Sequence, residues 1–350
     1  MSDFHKLTVK EVIRETPQAV SISFNVADSL KKLYRSKAGQ YITVRTTIDG
    51  HEVRRAYSLC TTPHSEELKV AVKELADGSF SKYANKELKA GDELEVMLPD
   101  GKFIFEPNAA NTRNIAAFAA GSGITPLMSI AKTVLEKEPN SKFVLVYGNK
   151  SPEETIFLDE LNTLKEQFPN RFFMHLTYSN AQAEGALFGR IDASTVNYAL
   201  KNQHKDLKFD AFYLCGPEPM VDLVTKTLMD NEIDKQKIHF ELFTASTQES
   251  EVESTLEGQT KITVMVDDAE TTFVMDQKKS ILEAALDKDL DAPYSCQGGV
   301  CSSCIARLTE GKAEMRQNNI LTDSEVAEGL ILTCQAHPTS PVVKIDYDDV

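Results

Sequence analysis

Asn114-Ile-Ala-Ala-Phe-Ala-Ala-Gly121-Ser-Gly123-Ile-Thr-Pro126-Leu-Met-Ser-Ile130 is an apolar strand that runs into a glycine-rich turn and out into an amphipathic helix. Backbone N–H groups at such a helix start face any bound pyrophosphate. Pro126 suits the first helical turn. It also replaces the third glycine of a G-x-G-x-x-G fingerprint, so as a plain dinucleotide signature the match is weak. Strand and helix then alternate toward residue 229: strands are predicted over 142–147, 172–177 and 211–214, helices over 154–168 and 218–229. That alternation implies a parallel sheet. Its last strand ends in Cys215-Gly216-Pro217-Glu218-Pro219-Met220. Ligands in open parallel sheets bind beyond the carboxyl ends of strands, which puts Cys215 at the site. A small buried cysteine before a helix cap is the plainer reading of the same residues. His239-Phe-Glu241-Leu-Phe243 closes this region as a strand end.

Upstream the pattern changes to short alternating runs over 8–13, 19–24, 41–44, 68–72 and 93–96, broken by turn signals. An antiparallel barrel or sandwich is expected. Within it, Arg54-Arg55-Ala56-Tyr57-Ser58-Leu59 offers a cation, an aromatic face and a hydroxyl in strand register. Gly78-Ser79-Phe80-Ser81 opens a helix predicted over 82–88, and its N–H groups and hydroxyls suit a phosphate. Taken alone, the first is an edge strand and the second a helix cap.

Downstream, residues 245–260 are polar and acidic and are expected to be a linker. Beyond it a strand over 262–266, a hairpin partner over 271–275 and a capping box at Ser280–Glu283, before a helix through residue 288, lead to Cys296-Gln-Gly-Gly-Val-Cys301-Ser-Ser-Cys304. Cys334 comes after 29 further residues. Four soft thiolates in C-x4-C-x2-C…C spacing suit a 2Fe-2S cluster. A zinc site would favour paired C-x2-C knuckles, and a disulfide pair would suit a secreted chain. Gly298 and Gly299 allow the loop to wrap closely and aim N–H groups at sulfur.

The net charge of -15 argues against nucleic acid and anionic membranes as partners. Residues 259–350 carry 8 basic against 16 acidic side chains, a net of -8, which suits a basic protein acceptor. No apolar run reaches the length of a membrane span, and residues 1–12 lack the apolar core of a signal peptide. Cys60 and Cys215 show no disulfide spacing, so a reducing, cytoplasmic setting is expected. His51, His64, His204 and His337 fall in polar surroundings and are read as exposed or hydrogen-bonded.

In this order the motifs resemble the ferredoxin-NADP reductase superfamily joined to a C-terminal plant-type ferredoxin. The resemblance implies a multidomain α/β plus β chain: an antiparallel flavin-binding β-barrel over 1–107, a parallel-sheet NAD(P)-binding domain over 108–244, a linker over 245–260 and a β-grasp 2Fe-2S ferredoxin domain over 261–350. By the same resemblance Arg55 neutralises flavin phosphate, Tyr57 packs on the isoalloxazine, Ser58 bonds near its reactive N5, and Leu59 continues that strand. Val72 and Lys73 belong to the neighbouring flavin strand, and Gly78, Ser79, Phe80 and Ser81 hold the pyrophosphate. Gly121, Gly123, Thr125 and Pro126 form the G-x-G-x-x-P nucleotide turn. Cys215, Gly216, Pro217 and Met220 lie beside the nicotinamide, with Glu241 and Phe243 near the flavin edge. Ser58, Cys215 and Glu241 are the implied catalytic residues, and Cys296, Cys301, Cys304 and Cys334 the cluster ligands.

The flavin implied is FAD, although a related group of the same domain order uses FMN. Asn180 and Ala181 follow Ser179 where NADPH-specific relatives often carry an arginine, and Lys150 and Arg190 could substitute; the resemblance favours NADPH over NADH. Nicotinamide releases two electrons as hydride and a 2Fe-2S cluster accepts one at a time, so a flavin must stand between them. Over all 350 residues the chain is similar to reductase components of bacterial multicomponent oxygenases, and within them to the branch serving phenylacetate degradation, whose acceptor is a phenylacetyl-CoA epoxidase. The implied partner is thus an oxygenase component. A stand-alone ferredoxin or flavodoxin reductase and a redox-sensing binding protein are the alternatives.

Overall fold

A computed structural model of the chain describes residues 4–243 and 258–350. Most of the expected linker, residues 245–257, lies outside the described residues. The chain forms two compact units, one spanning residues 5–53 and 57–243, the other centred on the C-terminal residues.

The first unit opens with β1 (Phe4–Thr16), β2 (Ala19–Asn25), β3 (Tyr41–Ile48), β4 (His51–Ser58), β5 (Leu68–Lys73), α1 (Ser79–Lys86) and β6 (Glu93–Met97). The strands join in the order β4-β3-β6-β1-β2-β5. A bridge from Leu59 to Val70 brings the sheet's two edges together, so it curls toward a barrel. Val20 pairs with Val72 and Ile22 with Val70. These four side chains, with Leu7, Ile42 and Val96, fill its core. Helix α1 starts at Ser79, three residues earlier than expected, and ends at Lys86. Phe80, Ser81, Ala84 and Asn85 form its buried stripe, so burial pulls the first turn back to Gly78.

The rest of that unit is β7 (Asn114–Ala120), α2 (Ile124–Lys137), β8 (Lys142–Asn149), α3 (Leu158–Gln167), β9 (Phe172–Tyr178), β10 (Leu187–Phe188), α4 (Ala193–Asn197), β11 (Ala211–Cys215), α5 (Glu218–Asp230) and β12 (Ile238–Glu241). All six strands are parallel, in the order β10-β9-β8-β7-β11-β12. Residues 115–119 are buried throughout, as a strand covered on both faces must be. The chain winds from β7 outward to β10 and then returns to β11 on its other side. The switch point therefore lies between β7 and β11.

Helix α3 begins four residues later than the sequence suggests. Pro152–Glu154 form a separate 3-10 turn, and Phe157 sits at φ 62° as the N-cap. Ile156 and Phe157 are both buried in the core with Leu161 and Leu164. One continuous helix would keep Phe157 on the face of Leu161 and Leu164 but turn Ile156 about 100° away from it; with the left-handed turn at Phe157 both are buried.

The second unit contains β13 (Gln259–Val266), β14 (Ala269–Asp276), α6 (Ile281–Leu286), β15 (Ile305–Glu310), β16 (Ala313–Met315), α7 (Asp323–Ala327), β17 (Leu330–Leu332), β18 (Ala336–Pro338) and β19 (Val342–Asp346). A five-stranded mixed sheet, β14-β13-β19-β15-β17, packs on α6, which is the β-grasp arrangement expected. Strand β13 begins at Gln259, inside the stretch read as linker, and from there alternates exposed with more buried residues. Helix α6 stops at Leu286 rather than residue 288. Ser280 Oγ accepts from Glu283 N at 3.2 Å, but the reciprocal capping box is made elsewhere, by Thr322 and Glu325 on α7. His337, expected in polar surroundings, is buried on β18 with Nδ1 3.3 Å from Gln277 O.

Candidate active site and cluster loop

The carboxyl ends of β7 and β11 meet at the switch point, and glycine makes the meeting possible. A Cβ on Gly123 would lie 2.0 Å from Cys215 O. A Cβ on Gly216 would lie 2.8 Å from Met220 Cε. The Gly121–Gly123 turn can therefore lie directly against the Cys215–Gly216 turn, as the two motifs required. Gly121 has φ +55°, its carbonyl accepts from Tyr147 Oη at 2.9 Å, and the nearest atom to its Cβ position is Lys73 Nζ at 3.7 Å. Thr125 is buried and donates its hydroxyl to Ser122 O at 3.0 Å, while Pro126 is buried in the first turn of α2. A glycine turn at a helix start with a lysine near its first residue suits an anion.

On the next strand, Cys215 pairs with Glu241. Ser58, at the end of β4, donates its hydroxyl to Glu241 Oε2 at 3.2 Å. Barrel and parallel sheet thus contribute to one constellation, and all three side chains are buried. Burial pushes the Glu241 carboxyl up to about 8, and the Ser58 hydrogen bond opposes part of that rise. Its neutral form is favoured at pH 7, so it can donate as well as accept a proton. Burial, and then the Glu241 charge, push the Cys215 thiol well above its usual range. As a neutral thiol it is a small apolar group rather than a nucleophile. Lys73 is shifted down by burial, with Glu154 opposing and Lys150 assisting. Glu154 was not singled out in the sequence, where it looked like one surface carboxylate among many.

The remaining residues divide by exposure. Arg55 is exposed on β4, with Nη1 donating to Arg54 O at 2.7 Å. Tyr57 is half-buried, its ring 5.4 Å from that of Phe80 at 37°. Leu59, Val72 and Phe80 are buried in the barrel core, so they offer a ligand main-chain groups only. Ser81 Oγ accepts from Leu75 N at 3.1 Å and donates to Gly78 O at 3.4 Å, which shapes the loop. A Cβ on Gly78 would strike that hydroxyl at 2.2 Å. Ser79 is exposed at the first turn of α1. Lys150 and Arg190 are exposed at the end of β8 and after β10, Lys150 lying 3.7 Å from Glu154. Pro217 and Phe243 are exposed, and Met220 is half-buried.

In the second unit none of the four cysteines is in a disulfide, and they lie as two neighbouring couples, Cys296 with Cys301 and Cys304 with Cys334. Two couples suit two irons with two thiolates each, and the described residues hold no group of three or more ligands around a single ion. Gln297 and Gly299 have φ of 54° and 69°, and Gly298 N–H points at Cys296 Sγ from 3.4 Å. Ser295 Oγ is buried without a protein partner beside Cys296, a donor left over for a sulfide. Thr333 Oγ1 donates to Cys304 O at 2.9 Å and accepts from Tyr347 Oη at 2.9 Å, which pins the second couple. The residues fit a 2Fe-2S cluster.

Barrel, switch-point turn and thiolate loop together define a flavin- and nucleotide-dependent reductase carrying its own iron–sulfur module. Matching domain families agree: an oxidoreductase FAD-binding domain over 6–105, an oxidoreductase NAD-binding domain over 118–226 and a 2Fe-2S iron–sulfur cluster binding domain over 264–339. One of the subunits of the 1,2-phenylacetyl-CoA epoxidase of Escherichia coli (strain K12) is 38% identical over 99% of both chains. The ferredoxin reductase component of the 3-ketosteroid-9-alpha-monooxygenase of Rhodococcus rhodochrous is 32% identical over 97% of this chain and 96% of its own. A solved structure of phthalate dioxygenase reductase superposes with a TM-score of 0.63 at 25% identity, covering 98% of each chain. The chain belongs to the family of iron–sulfur flavoprotein reductases that deliver electrons from pyridine nucleotides to oxygenase components.

Proposed function

We propose that this reductase takes its electrons from NADPH and delivers them to an oxygenase of the phenylacetyl-CoA epoxidase type, in the cytoplasm. The carrying observation is the Ser58–Glu241 hydrogen bond of 3.2 Å beside Cys215, at the mouth of the nucleotide turn. Ser58 presents a hydroxyl, and Glu241 a carboxyl that can hold a proton near neutrality, where hydride must arrive. Cys215, neutral and small, lets the nicotinamide approach.

Arg55 and the N–H groups of 78–81 take the flavin phosphates, Tyr57 lies on the ring, and Leu59, Val72 and Lys73 line it along the two barrel strands. Gly121, Gly123, Thr125 and Pro126 receive the coenzyme pyrophosphate. Lys150 and Arg190, both exposed cations, receive the 2'-phosphate. Gly216, Pro217, Met220 and Phe243 frame the nicotinamide, and Cys296, Cys301, Cys304 and Cys334 hold the cluster. A flavin held by these residues would supply the step between a two-electron hydride donor and a one-electron cluster. The acceptor assignment rests on the 38% identity to the epoxidase component, against 32% for the ketosteroid component. Among the described residues no helix is long and apolar enough to cross a membrane.

An anaerobic absorbance titration with NADPH and, separately, NADH tests this reading. Fast bleaching of flavin and cluster bands together, with NADPH preferred, is expected. If neither coenzyme bleaches the flavin, the hydride site is wrongly assigned; if NADH is preferred, Lys150 and Arg190 do not read a 2'-phosphate. Addition of each oxygenase to the reduced protein then tests the acceptor.

A further inference from the structure

The second thiolate couple is held by a tyrosine from another strand. Val343, Ile345 and Tyr347 alternate onto the buried face of β19 and its continuation, in the core that also contains Cys304 and Cys334. Tyr347 N donates to Met265 O at 3.0 Å, so the backbone stays beside β13 just past the end of β19. Arg307 pairs with Asp346, which sets Tyr347 near the start of β15. There Ile305 pairs with Leu332, and Thr333 N donates to Cys304 O at 3.1 Å. Cys304 and Cys334 therefore lie at the shared end of β15 and β17, within reach of a long side chain from β19.

Tyr347 Oη donates to Thr333 Oγ1 at 2.9 Å, and Thr333 Oγ1 donates to Cys304 O at 2.9 Å. Each hydroxyl has a single hydrogen, so the chain runs one way, from tyrosine to threonine to the carbonyl of a cluster ligand. Thr333 is 0% exposed and Tyr347 5%, so water does not compete for either bond. Leu282 N donates to Thr333 O at 3.0 Å, which fixes the threonine backbone as well. Packing alone would be served by a phenylalanine, which brings no hydroxyl into the core. The hydroxyl of Tyr347 has to be satisfied there, and it is satisfied on the residue before Cys334. In a dry core the two O–H dipoles align head to tail and strengthen each other, their hydrogen ends toward Cys304. One-electron reduction adds a negative charge to a 2Fe-2S cluster, and dipoles oriented in this way favour that charge.

We propose that Tyr347 is a positioning residue for the iron–sulfur cluster: acting through Thr333 on Cys304, its hydroxyl raises the reduction potential of the cluster and so favours acceptance of an electron. The inference rests on the four-cysteine cluster, which the absorbance of the purified holoprotein and the electron paramagnetic resonance signal of its reduced form check separately.

The test is a dye-mediated potentiometric titration of the full-length holoprotein, with flavin followed by absorbance and the cluster by electron paramagnetic resonance. Tyr347→Phe keeps the ring and removes the hydroxyl. Its one-electron equilibrium should shift against the reduced cluster about threefold or more, about 28 mV at 59 mV per decade, while the flavin potential keeps its wild-type value. Thr333→Val breaks both side-chain bonds and should lower the cluster potential further; Thr333→Ser keeps the hydroxyl and should hold the wild-type value. A tyrosine that only fills the core would give Tyr347→Phe a lower Tm and faster loss of iron to a chelator with no change in potential, and that outcome overturns the proposal. So does a potential that moves as far in Thr333→Ser as in Thr333→Val. Should Thr333→Val not take up the cluster, Tyr347→Phe against Thr333→Ser decides by the same criterion.

Discussion

Glu241 is the residue whose charge state matters most. Its carboxyl is raised by burial from 4.5 to about 8. The folded protein therefore binds more protons than the unfolded chain between these values, and folding stability falls as pH rises through that window. Glu241→Gln should flatten the fall, as read from Tm against pH on the holoprotein. The same substitution should remove the titration near pH 8 from the rate of flavin reduction while the flavin and cluster absorbance bands stay as they are. If the profile is unchanged, Glu241 has no part in proton handling. His175 works in the opposite direction: its folded pKa of about 4 lies below the ordinary 6.5, so the stability it confers is full above 6.5 and lost as pH falls. Gly123 acts by size alone. Gly123→Ala sets a Cβ against Cys215 O, and overpacking of this kind costs about 1–3 kcal/mol. Calorimetric unfolding should show a lower Tm, and coenzyme oxidation should drop about tenfold or more while the cluster spectrum is retained.

At the level of elements, helix starts hold the clearest differences between expectation and structure. Ser280-x-x-Glu283 and Thr322-x-x-Glu325 have the same spacing, yet only the second closes a reciprocal box, with Thr322 N donating to Glu325 Oε2 at 2.8 Å. Thr322→Ala should cost about 1 kcal/mol, measured by denaturant unfolding of the ferredoxin signal. A silent substitution there would mean α7 is held by its contacts with β17 alone. The late start of α3 has the same lesson, since the left-handed backbone at Phe157 goes with the burial of Ile156, which a continuous helix would turn away from the face of Leu161 and Leu164. Strands were easier to read than helix starts because an alternation such as that of β13 repeats every two residues and needs no partner to be visible.

For the molecule as a whole, the reductase and ferredoxin units carry separable halves of one reaction. Cys296→Ser should leave coenzyme-driven ferricyanide reduction by the flavin near its normal rate and cut cytochrome c reduction about tenfold or more. Equal loss of both activities would show that cluster and flavin do not act in series. The acidic C-terminal region gives a matching expectation for acceptor delivery: turnover with the oxygenase should slow as ionic strength rises, because screening removes the attraction to a basic partner.

Chemistry that sits in contiguous residues was legible before folding. The C-x4-C-x2-C loop, the Gly121–Pro126 turn and the Cys215–Met220 turn each carry their ligand class in a short run, because turn geometry and thiolate spacing are local properties. What needed the tertiary structure were the pairings across long stretches of chain. Ser58 and Glu241 are 183 residues apart and meet only because barrel and sheet fold together, and the raised carboxyl exists only once burial removes its water. His204, read from its neighbours as exposed or hydrogen-bonded, acquires His175 as its partner across 29 residues only when β9 passes beneath the π-helical turn of Tyr198–Gln203. Sequence determines which groups the chain owns and how adjacent ones are spaced; packing decides which distant groups lose water together, and that sets their charge.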